Sequence, residues 1–242
     1  MTRATLRAVA IGLLVLVAAS GAMVAWTPVN AGFVVGALVC YALSASIIVS
    51  RCPVFHPYDS FGMANTVTLI RLVGVCLFAG LGLQMIVDAV ALSPALAWLF
   101  CALAMMERLL DGIDGYVARK RGMESAFGAR FDMEVDALQI LLLSVLAALL
   151  DKAGAWVLVG GLLRYAFLGA GLLWPAFNAP LPPSSRRKIA AVIQGLTLAA
   201  LLAPVMVPPI SALVAAAALI LLVYSFAVDT LWVLRSQAKV EN

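Results

Sequence analysis

The sequence predicts an all-α fold, a polytopic bundle of transmembrane helices. Two observations carry this. Of the 242 residues 64% are hydrophobic and only 12% are charged, with a mean hydropathy of +1.08, whereas about half of a soluble domain is apolar. The apolar residues also come in continuous runs of about twenty, the length of a membrane-crossing helix. The segments of alternating hydrophobicity that build a membrane β-barrel are absent.

The runs predict eight spans, at roughly 6–26, 31–50, 67–89, 92–111, 133–151, 154–174, 188–206 and 210–234. The first follows Arg3 and holds Arg7 at its start. It is long for the core of a cleaved signal peptide and a second apolar run comes directly after it, so it reads as a retained signal-anchor helix. "WTPVN" divides the first two spans, "ALSP" the third from the fourth, and "DKAG" the fifth from the sixth. "NAPLPPSS" and "VPP" set off the last two. No internal repeat is visible.

With the N-terminus in the cytoplasm, eight crossings place Arg3, Arg7, Arg51, Arg119, Lys120, Arg121, Arg130, Arg186, Arg187, Lys188, Arg235 and Lys239 on the inside. Only Lys152 falls outside. Such an imbalance orients a membrane protein, and it puts both termini in the cytoplasm. It also accounts for the net charge of +4 without a nucleic-acid surface. Cys40, Cys52, Cys76 and Cys101 form no CxxC pair and read as ordinary thiols. His56, the single histidine, rules out a histidine-based metal site or triad.

One stretch does not fit a lipid surrounding: "DGIDGYVARKRGMESAFGARFDMEVD", residues 111–136. Asp111 and Asp114 are spaced i,i+3, and Asp132 and Asp136 i,i+4, so each pair shares a helix face. The first pair ends one span and the second begins the next, antiparallel one, at the cytoplasmic surface. Four close carboxylates are relieved by raised pKa values or by bound cations. An oxygen-only set favours a hard ion, Mg²⁺ or Mn²⁺, and two such ions bridged by carboxylates make a site for phosphoryl transfer. Gly115, Ala118 and Gly128 would let a ligand reach the backbone. Arg119 can offer a planar fork to phosphate. Together these features suggest a nucleoside diphosphate.

The stretch resembles the CDP-alcohol phosphotransferase signature, D-x2-D-G-x2-A-R-x8-G-x3-D-x3-D. Asp111, Asp114, Gly115, Ala118, Arg119, Gly128, Asp132 and Asp136 occupy all of its fixed positions. The resemblance implies a six-helix catalytic core over 56–242, to which 1–55 adds two N-terminal transmembrane helices. It implies that Asp111, Asp114, Asp132 and Asp136 hold two metal ions and that Asp132 and Asp136 are catalytic, Asp136 as the general base. It further implies that Gly115, Ala118, Arg119 and Gly128 bind the CDP moiety. Asn65, Thr68 and Arg71, in an N-x2-T-x2-R pattern, would assist them. Homodimerisation is an expectation from the resemblance alone.

Arg164 lies well inside a span, where an arginine is costly and usually faces a polar cavity. With Arg187 and Lys188 it resembles the acceptor pocket of members that use a phosphorylated alcohol. CDP-diacylglycerol is therefore the expected donor and a small anionic alcohol, first glycerol 3-phosphate, the expected acceptor. A CDP-linked amino alcohol donating to diacylglycerol stays open, because the signature is shared. The segment after Gly128, "ARFDMEVDAL", lacks the proline and lysine usual in phosphatidylglycerophosphate synthases. A divalent-cation transporter would also bury acids in a bundle, but nearer the membrane midplane and often between repeats. Glu107 either joins the acidic face or pairs with Arg71 or Arg108. Glu134 points away from its two aspartate neighbours, toward the surface.

Overall fold

In hydrocarbon a backbone amide has to be satisfied within its own segment, and the chain meets that demand with helices. The computed structural model describes residues 3–88, 92–121, 125–178 and 181–238, without the side chains of 110–121, 178, 237 and 238. Among the described residues there is no strand and there are eight α-helices. They are α1 (Arg3–Trp26), α2 (Ala31–Phe55), α3 (Met63–Asp88), α4 (Pro94–Arg121), α5 (Ala126–Leu149), α6 (Leu158–Leu173), α7 (Ser185–Leu201) and α8 (Ile210–Ala238).

Each expected span overlaps one α-helix, and four boundaries differ by five residues or more, the first being the end of the second span, expected near 50 and found at Phe55. The fourth, expected to stop near 111, lies on a helix that runs to Arg121. The fifth, expected from 133, lies on a helix that begins at Ala126. An apolar reading ends at the first charges, whereas the helix ends where its amides find a cap. Ser125 supplies that cap for α5, its Oγ accepting the Gly128 N–H at 3.0 Å. The seventh span ends at Leu201 rather than 206.

Among the described residues, five stretches are long and apolar enough to cross a membrane: Arg3–Trp26, Ala31–Phe55, Met63–Asp88, Ala155–Leu173 and Ile210–Ser236. The remaining helices, α4, α5 and α7, are the ones that carry clustered charges: Glu107, Arg108 and the signature on the first two, and Arg186, Arg187 and Lys188 on the third.

Helix α3 is apolar nearly all round, as a helix enclosed by others must be, and it packs against α1, α2, α4 and α5. Its crossing with α2 is a backbone contact. A Cβ added to Gly80 would stand 2.4 Å from the Phe33 carbonyl oxygen, and one added to Gly36 would stand 3.0 Å from the Gly80 Cα. Small residues at such crossings are how membrane helices approach closely. Helix α7 packs against α4, α5 and α8, while α6 lies against α5 and α8.

The two ends of the bundle are tied differently. At one end Asn30 caps α2 through the Gly32 N–H at 2.8 Å and donates to Asp88 at 2.6 Å. There Lys152 donates to the carbonyls of Ala203 and Met206, and burial pushes its ammonium pKa down. At the other end Ser125 already accepts the Gly128 amide, so its hydroxyl proton goes to His56 Nδ1 at 2.9 Å. The opposite ring nitrogen of His56 then donates to the Ser60 carbonyl at 2.9 Å. Phe127 packs against His56, Phe61 and Phe131 beside these bonds. The chain between α2 and α3 therefore pins the start of α5, the helix that carries Asp132 and Asp136. All four cysteines are free thiols.

Candidate active site

On α5, Asp132 and Asp136 lie one turn apart, and Gln139 continues the same face. Arg71 of α3 bridges the two carboxylates. Its Nη1 donates to Asp132 Oδ1 at 2.5 Å and its Nη2 to Asp136 Oδ1. Arg108 of α4 donates to the same Asp136 oxygen at 2.6 Å. The arginine side chains are 1% and 3% exposed, against 36% for Asp132 and 25% for Asp136. The cations are thus enclosed and the anions open at the end of the bundle. Asp136 Oδ2 takes none of these bonds.

The planar guanidinium fits this task, because its fork reaches two oxygens on successive helical turns. The register of α3 brings Asn65, Thr68 and Arg71 to successive turns. Asn65 donates to the Phe61 carbonyl at 2.6 Å, and Thr68 donates to the Ala64 carbonyl at 3.1 Å. Gly128 sits against Asn65: a Cβ added there would lie 2.8 Å from Asn65 Oδ1. Three expected nucleotide contacts, Asn65, Thr68 and Gly128, thus border the same α3–α5 seam as the Arg71 bridge.

Asp111, Asp114, Gly115, Ala118 and Arg119 fall within the helical backbone of α4, and their side chains lie outside the described residues. By register Asp111 is one turn beyond Glu107 and Asp114 nearly two. Glu107 does not pair directly with either arginine. Its Oε2 accepts from Gln139 Nε2 at 2.6 Å, which connects that face of α4 to α5. The part of the expected metal site that is described, Asp132 and Asp136, offers carboxylate oxygens only. That donor chemistry fits Mg²⁺ or Mn²⁺.

The expected acceptor residues have acidic neighbours. Arg164 Nη2 donates to Glu134 at 2.6 Å. Arg186 donates to Asp229 at 2.5 Å and Arg187 stands 3.5 Å from the same oxygen. Arg187 also donates to the Pro182 carbonyl at 2.5 Å. Lys188 is exposed. Glu134, read from sequence as a surface residue, is given a partner by α6. The sequence reading named Arg108 only as one partner open to Glu107 and did not name Asp229. The signal for both was a charge within an apolar run, the same rule that picked out Arg164.

The family model described as CDP-alcohol phosphatidyltransferase matches residues 61–228. Inner membrane protein YnjF of Escherichia coli (strain K12) is 40% identical over 90 residues. That match covers 35% of this chain and 41% of YnjF. No solved structure matches.

Proposed function

This chain belongs to the CDP-alcohol phosphatidyltransferase family, and on that premise we propose that it transfers a phosphatidyl group from CDP-diacylglycerol to a small polar alcohol. The acceptor oxygen attacks the phosphorus that carries the lipid. The bond from that phosphorus to the CMP oxygen breaks, CMP leaves, and a phosphodiester forms. The observation that carries this reading is the convergence of Asp132 and Asp136 on Arg71 and Arg108 within a stretch that completes the signature.

Asp136 takes the proton of the acceptor hydroxyl. Arg71 and Arg108 hold it by Oδ1, which fixes the carboxylate and leaves Oδ2 to accept the proton. Asn65, Thr68 and Gly128 form one wall for the nucleotide, and Gly115, Ala118 and Arg119 belong to the other helix of the signature. Asp111, Asp114, Asp132 and Asp136 would hold Mg²⁺ or Mn²⁺, which supplies positive charge to the diphosphate and to departing CMP. Positioning and charge stabilisation do most of the work in phosphoryl transfer. The basic loops support a cytoplasmic position for this end of the bundle, the side on which a soluble acceptor would enter and CMP would leave.

The acceptor we favour is anionic, with glycerol 3-phosphate first. Among the described residues Arg164 pairs with Glu134, Arg186 and Arg187 pair with Asp229, and Lys188 is exposed, so these four cations outnumber their two acidic neighbours. Arg164→Ala is expected to raise KM for glycerol 3-phosphate about tenfold, the worth of a bond to a charged group, with KM for CDP-diacylglycerol unchanged. An unaltered acceptor KM removes Arg164 from the pocket. Offering CDP-diacylglycerol and a CDP-linked amino alcohol as alternative radiolabelled donors tests the reading itself. Label transfer from the second donor onto diacylglycerol would reverse the assigned roles.

A further inference from the structure

The two N-terminal helices have no task in the transfer scheme, yet α2 ends against the helix that carries Asp132 and Asp136. Pro57 disfavours helical backbone at the residue before it, and His56 closes α2 in an extended conformation, φ −113° and ψ 108°. The His56 amide still bonds the Cys52 carbonyl at 3.0 Å. The imidazole therefore leaves the helix at a fixed point.

Residues 56–65 form a clasp around the start of α5. The Ser60 carbonyl can only accept, so His56 Nε2 carries a proton and donates it at 2.9 Å. In the neutral ring Nδ1 is then an acceptor, and it takes the Ser125 hydroxyl at 2.9 Å. That turns a lone pair of Ser125 Oγ to the Gly128 amide, 3.0 Å away. The His56 ring also meets Phe127 in a T-shaped contact, 6.0 Å between centroids. Gly62, at a φ of 82°, turns the chain into α3. Three residues on, Asn65 bonds the Phe61 carbonyl, and its Oδ1 stands 2.8 Å from where a Gly128 Cβ would be. Gly128 is thus held from two directions, by Ser125 at its amide and by Asn65 across its Cα.

A serine hydroxyl is a rotor, and its oxygen caps a helix well only when the proton points elsewhere. His56 supplies that other direction. Without it the first turn of α5 loosens and Gly128 shifts against Asn65, the two residues assigned to one wall of the nucleotide site. Asp132 and Asp136 lie further along α5 and are held separately by Arg71 and Arg108. Loss of the His56 bond should therefore be felt in nucleotide binding before it is felt in the chemistry.

We propose that His56 is a positioning residue for the donor, fixing the Ser125 hydroxyl and through it the Gly128 wall on which the nucleotide lies. The end of α2 is thereby part of the nucleotide site. His56 touches no reacting atom.

The inference rests on the nucleotide wall assigned under the transfer reading, but the two can fail separately. In the full-length purified chain with Mg²⁺, KM for CDP-diacylglycerol is measured beside the binding of CMP, which needs no transfer. His56→Phe keeps a ring against Phe127 and removes both side-chain bonds. His56→Asn loses the ring but returns an oxygen at the Nδ1 position. His56→Phe is expected to raise donor KM and the Kd for CMP about fivefold, the weight of one hydrogen bond, with kcat and acceptor KM within about twofold of the original. His56→Asn is expected to lie nearer the original. Ser125→Ala removes the middle of the relay, so adding His56→Phe to it should weaken CMP binding no further. Values for His56→Phe nearer the original than those for His56→Asn would assign His56 to packing and overturn the proposal. Effects that multiply in the double variant overturn it as well, as does an original chain that binds no CMP. If CMP binds with the expected ranking but none is released from CDP-diacylglycerol, the transfer reading fails and the positioning role stands.

Discussion

Asp136→Asn is expected to abolish CMP release, with a loss on the order of 10³-fold, the usual contribution of a positioned general base being about 10²–10⁴. The exchange keeps size and shape, and its amide oxygen can still accept from a guanidinium. What it loses is the charge and the ability to take a proton. Arg71 and Arg108 both bond Asp136 Oδ1, so the variant also leaves two enclosed cations with less compensation, and its melting temperature should fall. Activity is therefore to be scored per mole of monodisperse protein. Release within tenfold of the original would remove Asp136 from the role of base.

The second large effect is expected at Arg71. Its side chain is 1% exposed and it is the sole described link between Asp132 and Asp136. Arg71→Ala is expected to lower kcat/KM by about 10²-fold, because a small misplacement of reacting groups costs that much. It is also expected to lower the melting temperature, because the enclosed guanidinium and its bonds to both carboxylates are lost. Arg71→Lys separates charge from shape. Lysine keeps the charge as a point and cannot bridge two carboxylates. The lysine variant should regain part of the melting temperature and little of the activity. Full activity in Arg71→Lys would show that charge, not the fork, is what the site requires.

The sequence made the helices and the signature plain, and the reasons are physical. Continuous apolar runs have one stable form in a membrane, so all eight helices could be placed. Helix ends could not be placed from hydropathy, because at a membrane surface a helix can continue into charged sequence. Arg121 and Ser125 mark where α4 and α5 end and begin, and neither boundary was read from the sequence. Asp132 and Asp136 were legible through their spacing alone. Their partner Arg108 was not, because an arginine beside an acidic residue reads equally well as a local pair. Asp229 was passed over as a lone acid near the end of the last span. Arg186, its partner 43 residues away in sequence, is what gives it meaning. Glu134 shows the limit of arguing from one helix: its angle on α5 does point away from Asp132 and Asp136, but α6 places Arg164 there.

The most direct test of the account is CMP release by the purified chain in detergent with Mg²⁺ and CDP-diacylglycerol. Glycerol 3-phosphate, serine, inositol, inositol phosphate and choline would be supplied one at a time. Release that depends on one acceptor, strongest with an anionic one, and that stops on chelation of the metal is the predicted result. No release with any of the five would contradict phosphatidyl transfer from CDP-diacylglycerol as the activity of this site.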